Sequence, residues 1–354
     1  MSRLGGQSSC RGYPLRPMRV EYFTYALPES AIAQEAIEPR HDSRLLDTRD
    51  MSDHRFLDLP GLLRPGDLVV VNETRVRAAR LHGQRVRTGG DVELLILDAR
   101  PDGLWEAMAR PARRLRPGVE VAFDGLTATI VEGPEQGLVV VDLVAADVDA
   151  AIAAAGEVPL PPYFTGNLVD EDRYQTMFAR VVGSAAAPTA GLHFTAQVIF
   201  GLEASGIEIA TIDLHVGLDT FRPIAVEDIE DHRMHSEWCS VPDVTANAIL
   251  ETRERGGRVV AVGTTVVRAL ESMAREGGTV EAGAGDTDIF LKPGSSFRVV
   301  DALVTNFHVP GSTLIVLVAA FMGERWREAY ELALARGYRF LSFGDAMYAE
   351  RERT

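Results

Sequence analysis

Residues 258–275 read RVVAVGTTVVRALESMAR. Arg258–Val262 is a short, valine-rich run, the signature of a buried strand. Gly263 breaks it, and Val266–Arg275 then carries helical spacing until Gly277-Gly278 ends it. Strand, glycine turn and helix in that order make one β-α unit. The same alternation extends both ways. Thr195–Ser205 reads as a helix ending at Gly206, Ile207–His215 as a strand and Val244–Arg255 as a helix stopped by Gly256-Gly257. Asp288–Leu291 and Phe297–Thr305 read as strands. Ser312 can cap a helix running to Met322, and Glu324–Ala335 forms another. The alternation predicts an α/β domain built from parallel β-α-β units, barrel-like in outline.

Upstream the pattern differs. Asp67–Asn72, Val92–Asp98, Leu104–Met108, Val119–Phe123, Ala128–Val131 and Leu138–Leu143 are apolar or alternating, with Pro-Gly, Gly-Gly and Gly-Pro pairs between them. Short strands at even spacing without a helix predict a small β-barrel. Asp147–Ala155 reads as a short helix, and Pro159-Leu160-Pro161-Pro162 as a stiff connector. The expected organisation is a main α/β domain over 18–72 and 159–354, an inserted all-β barrel over 73–158, and a disordered extension over 1–17. That extension holds Arg3, Arg11 and Arg16, no acid and no apolar core, so it does not read as a secretory signal.

Composition narrows the class. Hydrophobic content of 46% supports a large core. The most apolar run, Leu314–Met322, is far short of the roughly 20 residues a membrane span needs. The two cysteines, Cys10 and Cys239, with one in the extension, fit a reducing cytoplasm and no structural disulfide. A net charge of −15 argues against nucleic acid, but the charge is uneven. Between Arg75 and Arg116 stand ten arginines against five acids, a local excess that a phosphate backbone would meet first. Arginine also serves almost every basic role in this chain, since Lys292 is its single lysine.

Polar clusters fall where strands end: Pro188–Thr195, Leu214–Gly217, Gly263–Thr265, Thr305–Thr313 and Phe343–Asp345. Ligands of open α/β sheets bind at the carboxyl ends of strands, where helix N-termini offer free N–H groups. Three histidines on such ends predict one polar pocket. His232, His235, Glu237 and Cys239 are metal-ligand types at close spacing, but they match no zinc pattern. No phosphate-binding or dinucleotide glycine motif is present.

Together these stretches resemble the S-adenosylmethionine:tRNA ribosyltransferase-isomerase family of queuosine biosynthesis, over nearly the whole chain from Met18. The resemblance is carried by Tyr25-Ala26-Leu27-Pro28, Asn72-Glu73-Thr74-Arg75-Val76, Pro159-Leu160-Pro161-Pro162-Tyr163 and Gly344-Asp345-Ala346-Met347. It is carried above all by Ala186-Ala187-Pro188-Thr189-Ala190-Gly191-Leu192-His193-Phe194 and Thr305-Asn306-Phe307-His308. It implies a β-barrel insertion, S-adenosylmethionine as ribosyl donor with no further cofactor or metal, and tRNA bearing 7-aminomethyl-7-deazaguanine as acceptor. The expected products are epoxyqueuosine-tRNA, adenine and methionine, made by a cytoplasmic monomer. Such chemistry needs proton transfers that histidine suits. His193, His215, His308 and Asp345 are the expected catalytic groups. Thr189, Gly191, Thr264, Thr265, Arg268 and Asn306 are expected to bind substrate, and Arg75, Arg77, Arg80, Arg113 and Arg114 to contact tRNA.

One departure stands out. Leu218-Asp219-Thr220-Phe221-Arg222-Pro223 carries two charges where the family pattern has none. Asp219 and Arg222 therefore join the expected substrate-binding set. They leave open a paralogue acting on a free deazaguanine or another small amine. A metal-dependent hydrolase using the His232–Cys239 run and a non-catalytic tRNA-binding protein are the competing classes.

Overall fold

The computed structural model describes residues 18–135, 137–166, 170–217 and 223–352. The 1–17 extension, Asp219 and Arg222 lie outside the described residues. In chain order, β1 (Arg44–Asp47) and β2 (Ser52–Arg55) form a hairpin, followed by α1 (Leu59–Leu62), β3 (Leu68–Asn72) and β4 (Thr74–Val76). Then come β5 (Arg80–Arg85), β6 (Asp91–Ala99), β7 (Trp105–Arg110), β8 (Glu120–Phe123), β9 (Leu126–Glu135), β10 (Leu138–Val144) and α2 (Val148–Ala155). After these follow β11 (Val181–Ser184), α3 (Ala196–Ala204), β12 (Glu208–Leu214), β13 (Glu237–Val241), α4 (Asp243–Glu254), β14 (Val259–Val262) and α5 (Thr264–Ser272). The last are β15 (Gly283–Thr287), β16 (Ala302–Asn306), α6 (Thr313–Met322), α7 (Arg325–Ala335) and β17 (Ala346–Glu350).

β5 to β10 close into a six-stranded antiparallel barrel. Its interior is filled by alternate residues such as Leu81, Leu94, Ala107, Val121, Ala128 and Val141, all buried. Leu115, just outside the strands, is buried with them. The α/β part is a nine-stranded mixed sheet in the order β15-β13-β12-β3-β14-β16-β17-β1-β2. β12, β3, β14 and β16 are mutually parallel, but β13 runs antiparallel to β12 and β17 antiparallel to β16. The parallel β-α-β units read from the alternation are present over β12, β3, β14 and β16, and antiparallel β13 and β17 extend the sheet on either side of them. β17 follows two consecutive helices, α6 and α7, and enters the sheet from the other end. β3 and β14 are buried on both faces, which accounts for their unbroken valine character. Among the described residues no helix is long and apolar enough to cross a membrane.

Candidate active site

The carboxyl ends of β14 and β16 open into a cleft lined by Thr189, Thr264, Thr265, Thr305, His308 and Ser342, among others. Gly263 ends β14 at φ +88°, a left-handed conformation that suits glycine, and α5 starts directly after it without a side-chain cap. The first N–H groups of α5 therefore stay open to a ligand. The Thr265 hydroxyl beside them is buried and has no hydrogen-bond partner in the protein. That is the mark of a group awaiting an external one.

Asn306, the last residue of β16, lines the cleft and is its hub. Its Oδ1 accepts from the Thr189 hydroxyl at 3.0 Å, and its Nδ2 faces His193 Nε2 at 3.1 Å and the Asp345 carbonyl at 3.4 Å. An amide nitrogen only donates, so His193 Nε2 is an acceptor and its proton sits on Nδ1, which meets Ser43 Oγ at 2.7 Å. The ring stacks on Phe56, and burial pushes the His193 pKa down to about 3. His193 is thus neutral, with both nitrogens engaged inside the protein.

His308 lines the cleft itself. Tyr330 Oη accepts the His308 backbone N–H at 3.1 Å and also lies 3.1 Å from His308 Nδ1. His308 Nε2 lies 3.2 Å from Thr305 Oγ1. Burial pushes the His308 pKa down to about 3 as well. The folded-state pKa values of both histidines lie below the unfolded value near 6.5. The unfolded chain therefore binds more protons between pH 6.5 and 3, and stability is lost as pH falls through that window. The expected slope is about 1.4 kcal/mol per pH unit for each histidine. Urea unfolding of the parent and of His193→Asn at pH 7 and pH 5 measures it. The variant should show the shallower pH dependence, and equal slopes would refute the assignment.

The other expected site residues are placed apart from the cleft. Asp345 accepts the backbone N–H groups of Arg44 at 2.9 Å and Arg339 at 2.8 Å, and so staples the turn that presents Leu341 (φ +69°) and Ser342 to the cleft. Its buried carboxylate is committed to that turn. His215 sits over Gly183, beside Trp238, with Nε2 3.2 Å from Asp213 Oδ2. It does not line the cleft, although its neighbour Val216 does. Arg268 points away from the cleft into a buried ion pair with Glu237, which also accepts the Gly217 N–H at 2.8 Å. Burial lowers the Arg268 pKa to about 10, which leaves it charged at neutral pH. Gly191 packs against Thr176 behind the cleft. The His232–Cys239 run is dispersed: Glu237 goes to Arg268, Cys239 lies 4.0 Å from Ser272 Oγ and His232 packs on Phe290.

Three cleft features escape sequence reading. Tyr163 Oη meets Ser342 Oγ at 2.5 Å across the cleft wall. Gln34 clasps the Tyr163 carbonyl and the Thr165 N–H at 3.0 and 2.9 Å. Tyr25 donates to the His308 carbonyl at 2.5 Å. Their partners lie more than a hundred residues away, so no local period signals them.

Comparison with known proteins bears on this geometry. Residues 20–349 match the family described as queuosine biosynthesis protein. A relative from Symbiobacterium thermophilum is 51% identical over 338 residues, covering 93% of this chain and 99% of that protein. One from Moorella thermoacetica is 50% identical over 339 residues, with 93% and 99% covered. Both are named S-adenosylmethionine:tRNA ribosyltransferase-isomerase. The chain belongs to the queuosine biosynthesis protein family. The crystal structure of an S-adenosylmethionine tRNA ribosyltransferase from Thermotoga maritima agrees, at 37% identity and a TM-score of 0.52, covering 92% of this chain and 99% of that one. Membership of the queuosine family settles the class of the chain as an enzyme.

Proposed function

We propose that the chain transfers and isomerises the ribosyl group of S-adenosylmethionine onto the aminomethyl group of 7-aminomethyl-7-deazaguanine in tRNA. The products are epoxyqueuosine-tRNA, adenine and methionine. What carries the reading is half-identity, end to end, to proteins of that name. S-adenosylmethionine enters as a substrate, the reading invokes no further cofactor, and the work is cytoplasmic, where tRNA is.

The cleft supports a division of roles. The α5 N–H groups and the Thr265 hydroxyl suit the carboxylate of the donor's methionine. The sulfonium acidifies the adjoining ribose carbon, so loss of a proton there opens the ring and expels adenine. The acceptor amine then attacks the sugar, and epoxide closure expels methionine. His308, neutral and facing the cleft, suits hydrogen bonding to a leaving or attacking group. His215 with Asp213 has the geometry of a base dyad at the cleft's edge. His193 and Asp345 act by holding the walls. Asp219 and Arg222, outside the described residues, remain proposed acceptor contacts.

Thr265→Val is expected to raise KM for S-adenosylmethionine roughly tenfold, the worth of one buried hydrogen bond to a charged group, with KM for tRNA unchanged. The reaction itself is tested with S-adenosylmethionine and tRNA bearing the aminomethyl-deazaguanine. Adenine, methionine and the matching mass gain on the tRNA should appear together. Release with the free base alone would move the chain to a paralogous activity. No release from folded protein would sink the ribosyl-transfer reading.

A further inference from the structure

We infer that one end of the inserted barrel is a docking surface for the sugar-phosphate backbone of the RNA, reached away from the nucleotide being modified. The inference rests on the tRNA reading above. It starts from how the fold sorts the arginines between Arg75 and Arg116. Those nearest the main sheet are occupied. Arg75 meets Asp172 at 3.6 Å, Arg77 lies over the Trp105 ring at 5.4 Å, and Arg80 pairs with Glu93 at 3.9 Å and reaches the Leu160 carbonyl. Arg100 is held by Asp102 and Glu132. The remaining six, Arg85, Arg87, Arg110, Arg113, Arg114 and Arg116, form no ion pair among the described residues.

These six share one end of the barrel. Arg85 and Arg87 sit at the β5–β6 hairpin, and Arg110 begins the loop that leaves β7. Hairpin and loop lie side by side, because Arg110 pairs with Glu93 across β6 and β7 and the Val86 N–H bonds the Glu120 carbonyl at 3.0 Å. Leu115 is driven into the barrel as a plug, so its neighbours Arg113, Arg114 and Arg116 are turned out to solvent. The acids at this end are fewer than the arginines. Glu93 is taken by Arg80, Asp91 accepts from the Gln84 amide at 3.2 Å, and Glu120 and Glu135, the latter at the β9–β10 hairpin beside Met108, are exposed.

Five exposed guanidinium groups, those of Arg87, Arg110, Arg113, Arg114 and Arg116, without an ion pair among the described residues, form a local positive field on a protein of net charge −15, with half-buried Arg85 beside them. The guanidinium fork matches phosphate oxygens, and the mixed spacing of hairpin and loop arginines suits a backbone better than a single anion. β5 leaves the main unit at Arg80, which bridges to Glu157, and reaches Arg85 five residues later, about 17 Å on. Contacts at this end therefore lie well beyond the domain junction. They supply uniform binding, equal in ground and transition states, and act on KM rather than kcat. The arginines expected from sequence to meet tRNA thus divide: Arg113 and Arg114 belong to this surface, whereas Arg75, Arg77 and Arg80 do not.

The test compares the full chain with Arg113→Ser/Arg114→Ser and, as an independent pair on the same surface, Arg87→Ser/Arg116→Ser. Arg298→Ser, an exposed arginine on the main unit, is the control. Binding of tRNA bearing the aminomethyl-deazaguanine is measured at several salt concentrations, with steady-state kinetics alongside. Each double variant should bind tRNA at least tenfold more weakly at low salt. Its slope of log affinity against log salt should flatten by about 0.7–0.9 for each phosphate no longer neutralised. Saturated kcat and KM for S-adenosylmethionine should not move. Parent-like affinity and slope in both double variants would overturn the proposal, and so would an equal loss in Arg298→Ser, which would reduce the effect to overall charge. If the parent releases no adenine while the double variants still lose tRNA, the ribosyl-transfer reading fails and the docking surface stands.

Discussion

Arg268→Ala is expected to destabilise the protein by about 3–5 kcal/mol, the cost of leaving one member of a buried ion pair without its partner. Arg268 on α5 and Glu237 on β13 are both buried, and the carboxylate also holds the Gly217 N–H. The pair therefore ties three things together: the helix whose N-terminus opens into the cleft, the strand beside β12, and the backbone at Gly217. Truncating the arginine keeps the Gly217 bond but strands a carboxylate in a low-dielectric site. Arg268→Met/Glu237→Leu should recover part of the loss, because an apolar pair removes both charges. Recovery should stop short of the parent, since the Gly217 N–H loses its acceptor. Equilibrium urea unfolding decides it. An alanine variant within about 1 kcal/mol of the parent would show that the pair is not desolvated as described.

Asn306→Ala is expected to lower kcat on the order of 10²-fold, through loss of positioning within the cleft. The amide fixes Thr189 on one side and His193 on the other, and through its contact with the Asp345 carbonyl it fixes the opposite wall. Without it, His193 Nε2 is a buried acceptor facing nothing, at a stability cost of about 1–3 kcal/mol. Asn306→Asp separates positioning from mere bulk. The new carboxylate still accepts from Thr189 but faces an acceptor nitrogen, so His193 must take up a proton or change tautomer. Its pKa should rise from about 3, visible in imidazole NMR. Retention of more than a third of parental kcat in Asn306→Ala, or an unmoved His193 in Asn306→Asp, would overturn the hub.

Much of this was legible in the chain, and the misreadings have physical causes. Five of the six barrel strands announce themselves as apolar or alternating runs. β5 does not, because in RLHGQR only Leu81 is buried. Phe297–Thr305 reads as one long strand, yet only Ala302–Asn306 pairs. The Glu271 carboxylate takes the N–H groups of Arg298, Val299 and Val300 at 2.8, 3.0 and 2.9 Å before they can join the sheet. The segment Asp288–Leu291 is no strand, whereas glycine-rich GAGDT is one, held by its pairing to β13 rather than by propensity. The cleft's location at strand ends was readable, since Gly263 and Asn306 mark them. Which way each side chain turns was not. Arg268 carries the same motif as Thr264 and Thr265, yet four residues along α5 it faces β13.

The place of β17 has a consequence for how the chain is made. β17 lies between β16 and β1, joining strands more than 250 residues apart in sequence. The barrel is built from neighbours in sequence and can close while the ribosome is still working downstream. The cleft cannot. Until Ala346–Glu350 has emerged, the β1–β2 hairpin has no sheet to join and Asp345 has no turn to staple. A nascent or prematurely terminated chain would thus show an intact arginine-bearing barrel beside an unfinished pocket.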